Sequence, residues 1–177
     1  MSQAPAIDLQ PLPQHWLYVL STSKFIGPDL RVSIAGASAS LHGEMQRQQR
    51  VGPRWVSLLL QRMTAHLWNR MLQAGRLTEV GAAYRSRRQS LVEALELMGV
   101  SLLHSGEGLH LWLPVIDETS TVQALASAGW AVQAGSPFRL QSGPAVRVSV
   151  GNLAEADTAR LAADIASAMQ ARRRRVY

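Results

Sequence analysis

Residues 17–20, Leu-Tyr-Val-Leu, form a short continuous apolar run. Four apolar positions in succession predict a strand buried on both faces, as in a parallel sheet. Upstream, Pro5, Pro11 and Pro13 predict an extended lead-in over residues 1–14. A hydroxyl-rich turn, Ser21-Thr22-Ser23, ends the run. A second strand is expected over residues 30–35, where Val32 and Ile34 alternate with Arg31 and Ser33. Gly36-Ala37-Ser38-Ala39-Ser40 then punctuates, and the apolar spacing lengthens to three and four. Helices are expected over 40–50 and 54–74, separated by Gly52-Pro53. In the second, Trp55, Leu58, Leu59, Met63, Leu67 and Met71 fall on one face. Gly75 fits the position just beyond its end. A long helix over about 80–98 follows, with Leu91, Leu95 and Met98 in a stripe and Gly99 behind it.

Beyond Gly99 the texture becomes α+β. Strands are expected over 100–103 and 109–113, the latter ended by Pro114. A helix over 119–128 would be capped by Asp117 or Thr119. Strands over 130–132 and 145–150 flank the turn-rich Gly135-Ser136-Pro137-Phe138 segment. Asn152-Leu153-Ala154-Glu155 has the form of a capping box, and the helix it opens should reach about Met169. The pattern divides near residues 75–80. Before it lie strands and helices of a larger sheet; after it lies a compact α+β unit.

Composition narrows the classes. The chain has 177 residues, 47% apolar and 17% charged, enough to bury a core as one domain or two small ones. The absence of cysteine excludes disulfides and thiolate metal sites and fits a reducing, cytoplasmic setting. Residues 1–8 lack the basic and apolar regions of a signal peptide, and no run is long enough to span a membrane. Four of the +6 net charges are Arg172 to Arg175, which leaves 6 − 4 = +2 for the rest. Arg85, Arg87 and Arg88 form a smaller cluster, expected on the polar face of a helix. Neither cluster has the interleaved aromatics of a nucleic-acid surface. Histidines 15, 42, 66, 104 and 110 show no metal-ligand spacing, and no phosphate-cradling glycine motif or nucleophile elbow occurs.

One basic residue differs in kind from the rest. Lys24 is the sole lysine among 18 basic residues. Arginine holds its proton and cannot act as an amine nucleophile, whereas lysine can. Lys24 follows the hydroxyl-rich turn, and Arg31 stands seven residues on. An ordinary exposed loop lysine and a catalytic amine both fit that position.

Ser21-Thr22-Ser23-Lys24 with Gly27-Pro28-Asp29-Leu30-Arg31 resembles the lysine segment of the class I/II aminotransferases, which are fold-type I pyridoxal phosphate enzymes. Gly108 to Leu113, Gly135 to Phe138, and Val146 to Leu153 are similar to segments of that family's small domain, in the same order. Gly52 to Ser57 and the Gly-Pro-Asp-Leu-Arg run resemble the PtsJ-like branch of MocR-type regulators, in the GntR superfamily. The resemblance covers Trp16 to Met169. It implies an α/β fold: the end of the large-domain sheet over residues 1–78, then an α+β small C-terminal domain over 79–177. It implies pyridoxal 5′-phosphate as cofactor, with Lys24 as the Schiff-base lysine. Ser21, Ser23 and Arg31 would hold the cofactor phosphate, and Arg147 the α-carboxylate of an amino-acid substrate or effector, although an ordinary exposed strand arginine fits Arg147 as well. It implies no metal. Tyr18 stands where the family also carries an aromatic residue, although core packing explains it as well.

The family's ring-nitrogen aspartate, stacking aromatic and first phosphate loop lie upstream of its lysine, and no segment here corresponds to them. The chain is therefore expected to be the C-terminal half of a longer protein, inactive or very slow in transamination by itself. Three functions stand open. The first is the effector-sensing part of a MocR-type regulator, taking an amino-acid or vitamin B6-type ligand. Such a protein would form a homodimer, contact DNA only through an N-terminal winged-helix domain, and have no membrane partner. The second is a fragment of a true aminotransferase, and the third a non-catalytic dimerisation module. As half a large domain, residues 1–75 are expected to exchange amide hydrogens faster than 100–169 and to favour association.

Overall fold

The computed structural model describes residues 14–52, 55–102 and 108–173. It forms two compact units that divide between Val80 and Gly81.

The first unit opens with a hairpin. Strand β1 (Leu17–Ser21) pairs antiparallel with β2 (Ser33–Ala37), and Leu17 stands opposite Ala37 and Ser21 opposite Ser33. Two short 3₁₀ turns, Thr22–Lys24 and Pro28–Leu30, connect the strands. The parallel, buried strand expected at 17–20 is thus corrected. Among the described residues this sheet has two strands, and Leu17 and Val19 are 50% and 53% exposed. Apolar character marked the strand, but burial requires neighbours that a lone hairpin does not supply. The second strand also begins later than expected, because Leu30 closes a 3₁₀ turn and Leu30 and Val32 are buried beneath the hairpin end.

Helices α1 (Ala39–Val51) and α2 (Leu58–Gln73) follow. Ser57 caps α2 by accepting the Leu60 N–H at 3.5 Å. The stripe expected on α2 is not the face its unit buries. Leu58, Leu59 and Met63 are exposed, while Thr64 is 5% exposed and Trp68 is half-buried. The Thr64 hydroxyl meets no hydrogen-bond partner among the described residues and borders a groove of about 510 Å³ with Val32, Ser33, Ile34 and Trp68.

Gly75 has φ +69°, the left-handed conformation that ends a helix without a Cβ clash. Helix α3 (Arg76–Leu97) starts directly after it, earlier than the sequence pattern indicates. Gly99 ends α3 with φ +73°, and the Val100 N–H donates to Leu95 O at 2.9 Å. That bond ties residue 100 to the helix end, so residues 100–102 are not a strand. Residue 103 of that expected strand lies outside the described residues.

In the second unit, β3 (His110–Pro114), β4 (Gln133–Ala134) and β5 (Ala145–Ser149) form an antiparallel sheet of order β3-β5-β4. Helix α4 (Glu118–Ser127) is capped by Asp117, whose Oδ1 accepts the Ser120 N–H at 2.8 Å. Helix α5 (Thr158–Arg173) is the last described element. The core packs Leu91 and Leu95 of α3, Leu111 and Leu113 of β3, Leu125 of α4, Val146 and Val148 of β5 and Ile165 of α5. Each such fully buried side chain contributes about 1.5–3 kcal/mol.

Three expectations change here. The strand at 130–132 moves to Gln133–Ala134, because the Trp130 N–H closes α4 on Leu125 O at 2.8 Å. The capping box at 152–155 does not form. A 3₁₀ turn (Glu155–Asp157) with Ala154 at its start precedes α5, without a side-chain cap. The arginines of α3 are not all on a solvated face. Arg88 is buried and donates to His110 O at 2.7 Å, and Arg87 donates to Gly151 O. Both cations hold backbone carbonyls of the second unit. No described helix is long and apolar enough to cross a membrane.

Candidate functional site

The lysine segment is built at the end of the first hairpin. Thr22, fully buried, fixes it: its N–H and its hydroxyl both donate to Val32 O, at 3.1 and 2.8 Å. The Phe25 and Ile26 N–H groups fold back onto Thr22 O at 3.3 and 2.9 Å. Phe25 meets Trp68 of α2 edge to face, with ring centroids 5.0 Å apart. The Ser23 N–H donates to Ser21 Oγ at 3.4 Å, and Ser21 Oγ donates to Ser23 Oγ at 3.3 Å. The two hydroxyls therefore lie side by side. Lys24 is exposed and ends the same turn.

Arg31 follows the second 3₁₀ turn with φ 49° and ψ 30°. It is the one non-glycine residue with positive φ among those described. A left-handed conformation costs an ordinary residue about 1–2 kcal/mol. The chain accepts it where the turn hands over to Val32, whose carbonyl Thr22 captures. Arg31 is exposed and makes no ion pair among the described residues. Hydroxyl donors, an amine and a guanidinium thus collect at one end of a hairpin. That donor set suits a phosphate dianion and a carbonyl carbon.

Arg147 belongs to the second unit. On β5 its neighbours Val146 and Val148 face the core, so Arg147 faces outward. Trp112 of β3 and Gln133 of β4 stand directly opposite it on either side. Gln133 Oε1 accepts from Arg147 Nη2. The guanidinium carbon lies 3.8 Å from the Phe138 ring centroid, a cation–π stack. The segment carrying Phe138 is pinned by Glu118. Its carboxylate accepts the Ser136 N–H at 2.9 Å and the Ala145 N–H at 3.0 Å, and pairs with Arg139 at 3.7 Å. The Ala145 N–H is the main reason the Glu118 carboxyl titrates below its ordinary value. No group of histidines and carboxylates suited to a metal occurs among the described residues.

Sequence reasoning missed Glu118, Gln133 and Phe138 as partners of the Arg147 region. Each reaches it from a different element, so no local spacing announces them. Lys24, Ser21, Ser23 and Arg31 fall within eleven residues and are brought together in the first unit. Arg147 is described with the second.

A hairpin that gathers lysine, hydroxyls and guanidinium, followed by a three-stranded antiparallel sheet packed with helices α3, α4 and α5, defines a pyridoxal phosphate-dependent aminotransferase fold. The chain belongs to the aminotransferase class I and II family, whose sequence pattern matches residues 4–165. It is 33% identical over 159 residues to the vitamin B6 salvage pathway transcriptional repressor PtsJ of Salmonella typhimurium. That match covers 88% of this chain and 36% of the relative. Among solved structures it resembles LysN, the α-aminoadipate aminotransferase of Thermus thermophilus, with a TM-score of 0.73 at 21% identity. It also resembles a Pyrococcus horikoshii kynurenine aminotransferase, with a TM-score of 0.74 at 16% identity. These matches each cover 88% of this chain, and 42% and 41% of the respective neighbours. The chain thus spans well under half the length of these relatives. Family membership implies pyridoxal phosphate as the cofactor.

Proposed function

We propose that this chain is the lysine-bearing and C-terminal part of a pyridoxal phosphate-dependent regulator of the MocR type, in which the cofactor region senses a small effector. The observation that carries the reading is the convergence of Ser21, Ser23, Lys24 and Arg31 at one hairpin end. The 33% identity to a transcriptional repressor of vitamin B6 salvage supports the regulatory assignment.

Ser21 and Ser23 would donate hydroxyl hydrogens to the cofactor phosphate, and Arg31 would neutralise its charge. Lys24 would supply the amine that bonds the cofactor's carbonyl carbon. When bound, the cofactor supplies an electron sink for amino-acid chemistry. Arg147 would hold the carboxylate of an amino-acid ligand; a vitamin B6-type ligand would instead engage the hairpin cluster. Residues 1–78 would complete a large-domain sheet and 79–177 would form the small domain of a cytoplasmic homodimer. DNA contact would come from a winged-helix segment elsewhere in the full-length protein.

A catalytic aminotransferase is the second reading, favoured by Arg147, whose stacked guanidinium suits a substrate carboxylate. A winged-helix segment in the full-length protein supports the regulator, and a large domain without one supports the enzyme. The cofactor assignment itself has a direct test. Borohydride reduction with pyridoxal phosphate should label one side chain, because Lys24 is the only lysine. Peptide mapping separates that label from the α-amino group. Lys24→Ala should abolish it, and side-chain label retained in that variant would refute the assignment.

A further inference from the structure

We propose that Phe138 and Gln133 are positioning residues that hold the Arg147 guanidinium ready for a ligand carboxylate. The inference rests on the reading of Arg147 as a carboxylate-binding residue.

An arginine side chain is long and samples many rotamers, so an unrestrained guanidinium spends little time in any one orientation. Here two contacts restrain it at right angles to each other. The Phe138 ring covers one face of the guanidinium plane. Gln133 Oε1 engages Nη2 from within that plane, and the strand register that places Gln133 opposite Arg147 sets its approach. The first contact fixes tilt and the second fixes rotation. The other N–H donors, the second on Nη2 and those on Nε and Nη1, have no partner among the described residues.

The carboxylate of the neighbouring segment is already engaged. Glu118 is engaged by two backbone amides and Arg139. Arg147 makes no ion pair among the described residues and stands on the outer sheet face, half-buried and already oriented. The second Nη2–H, with the parallel N–H of Nε or of Nη1, forms a fork that matches a carboxylate. A ligand that meets a pre-oriented fork loses less entropy on binding than one that must order it.

The test follows the Arg147 Nε–H resonance by NMR in the full chain, without added pyridoxal phosphate. The probe is L-alanine, and L-alaninamide, which lacks the carboxylate, is the control. L-alanine should shift the resonance saturably and L-alaninamide should not. Phe138→Leu and Gln133→Leu should each raise the L-alanine Kd by about three- to tenfold, the range of a cation–π or charged hydrogen-bond contact. Both should broaden the resonance before probe is added, and Phe138→Tyr should restore the wild-type behaviour. If wild type responds selectively to L-alanine but both leucine variants keep its Kd and line shape, the positioning role is overturned while the carboxylate reading stands. If wild type shows no saturable shift, or responds equally to the amide, the carboxylate reading falls and the positioning role with it.

Discussion

Adding one methyl group at Gly135 should destabilise the second unit although the site is neither charged nor at the centre of its core. A Cβ built there would lie 2.7 Å from Ala145 O and 2.8 and 3.0 Å from two Trp112 ring carbons. The carbonyl cannot yield easily. It accepts the Gly135 N–H at 2.8 Å and belongs to the first residue of β5, which is fully buried. Trp112 can tilt only by leaving its place opposite Arg147. Overpacking of this kind costs about 1–3 kcal/mol. Replacing glycine also stiffens the unfolded chain, a gain of about 0.4–1 kcal/mol, which is smaller. A net loss of about 1–2 kcal/mol lowers Tm by roughly 5–15 °C in a unit of about 100 residues. Thermal unfolding followed by near-ultraviolet circular dichroism reads the effect. Gly143→Ala is the control, because a Cβ there meets nothing within 4 Å. A Gly135→Ala melt within about 1 °C of wild type, or an equal drop for Gly143→Ala, would refute the reasoning.

Two more outcomes follow from the second unit. Glu118 has a lowered pKa, first because it accepts the Ala145 N–H, so its stabilising effect is fully present above the unfolded carboxyl's ordinary range. The effect is lost as pH falls through the depressed folded value, so the Tm gap between wild type and Glu118→Gln should be widest near neutrality and close in acid. A gap that widens on acidification would overturn this. Trp130 Nε1 donates to Asp164 Oδ2 at 2.7 Å, and Arg160 stacks on the indole at 3.9 Å. Trp130→Phe keeps a ring for the stack and removes the bond, so urea denaturation should show a loss of about 1–3 kcal/mol; no change in midpoint would show that the bond contributes nothing.

What could be read in advance depended on how local the cause was. Strand β5 was legible because Val146 and Val148 alternate with Arg147, and two-residue periodicity is intrinsic to a strand. Gly75 and Gly99 were legible as helix ends because a left-handed residue is a local requirement. Ser21, Ser23, Lys24 and Arg31 span only eleven positions, so their proximity is local too, but the roles assigned to them came from the resemblance. The direction of β1 was not, because an apolar run carries no information about which strand pairs with it or how. Trp130 looked like the start of a strand, yet its amide had a nearer carbonyl at Leu125. The surroundings of Arg147 stayed hidden because Glu118, Gln133 and Phe138 reach that region from a helix, a strand and a turn, and only the folded sheet makes them neighbours.

The two-sidedness of β5 bears on how chain length can change over evolution. One face of this strand holds the core through Val146 and Val148, and the other presents Arg147. Inserting or deleting one residue within it would turn every side chain to the opposite face, burying a guanidinium and exposing two valines. Lineages that lengthen or shorten this part of the protein must therefore do so outside the strand. The segment from Leu140 to Gly143 is suited to it: Leu140 is 99% exposed, and a side chain at Gly143 would meet open space. Related sequences should drift in length there while the spacing from Ala145 to Ser149 stays constant.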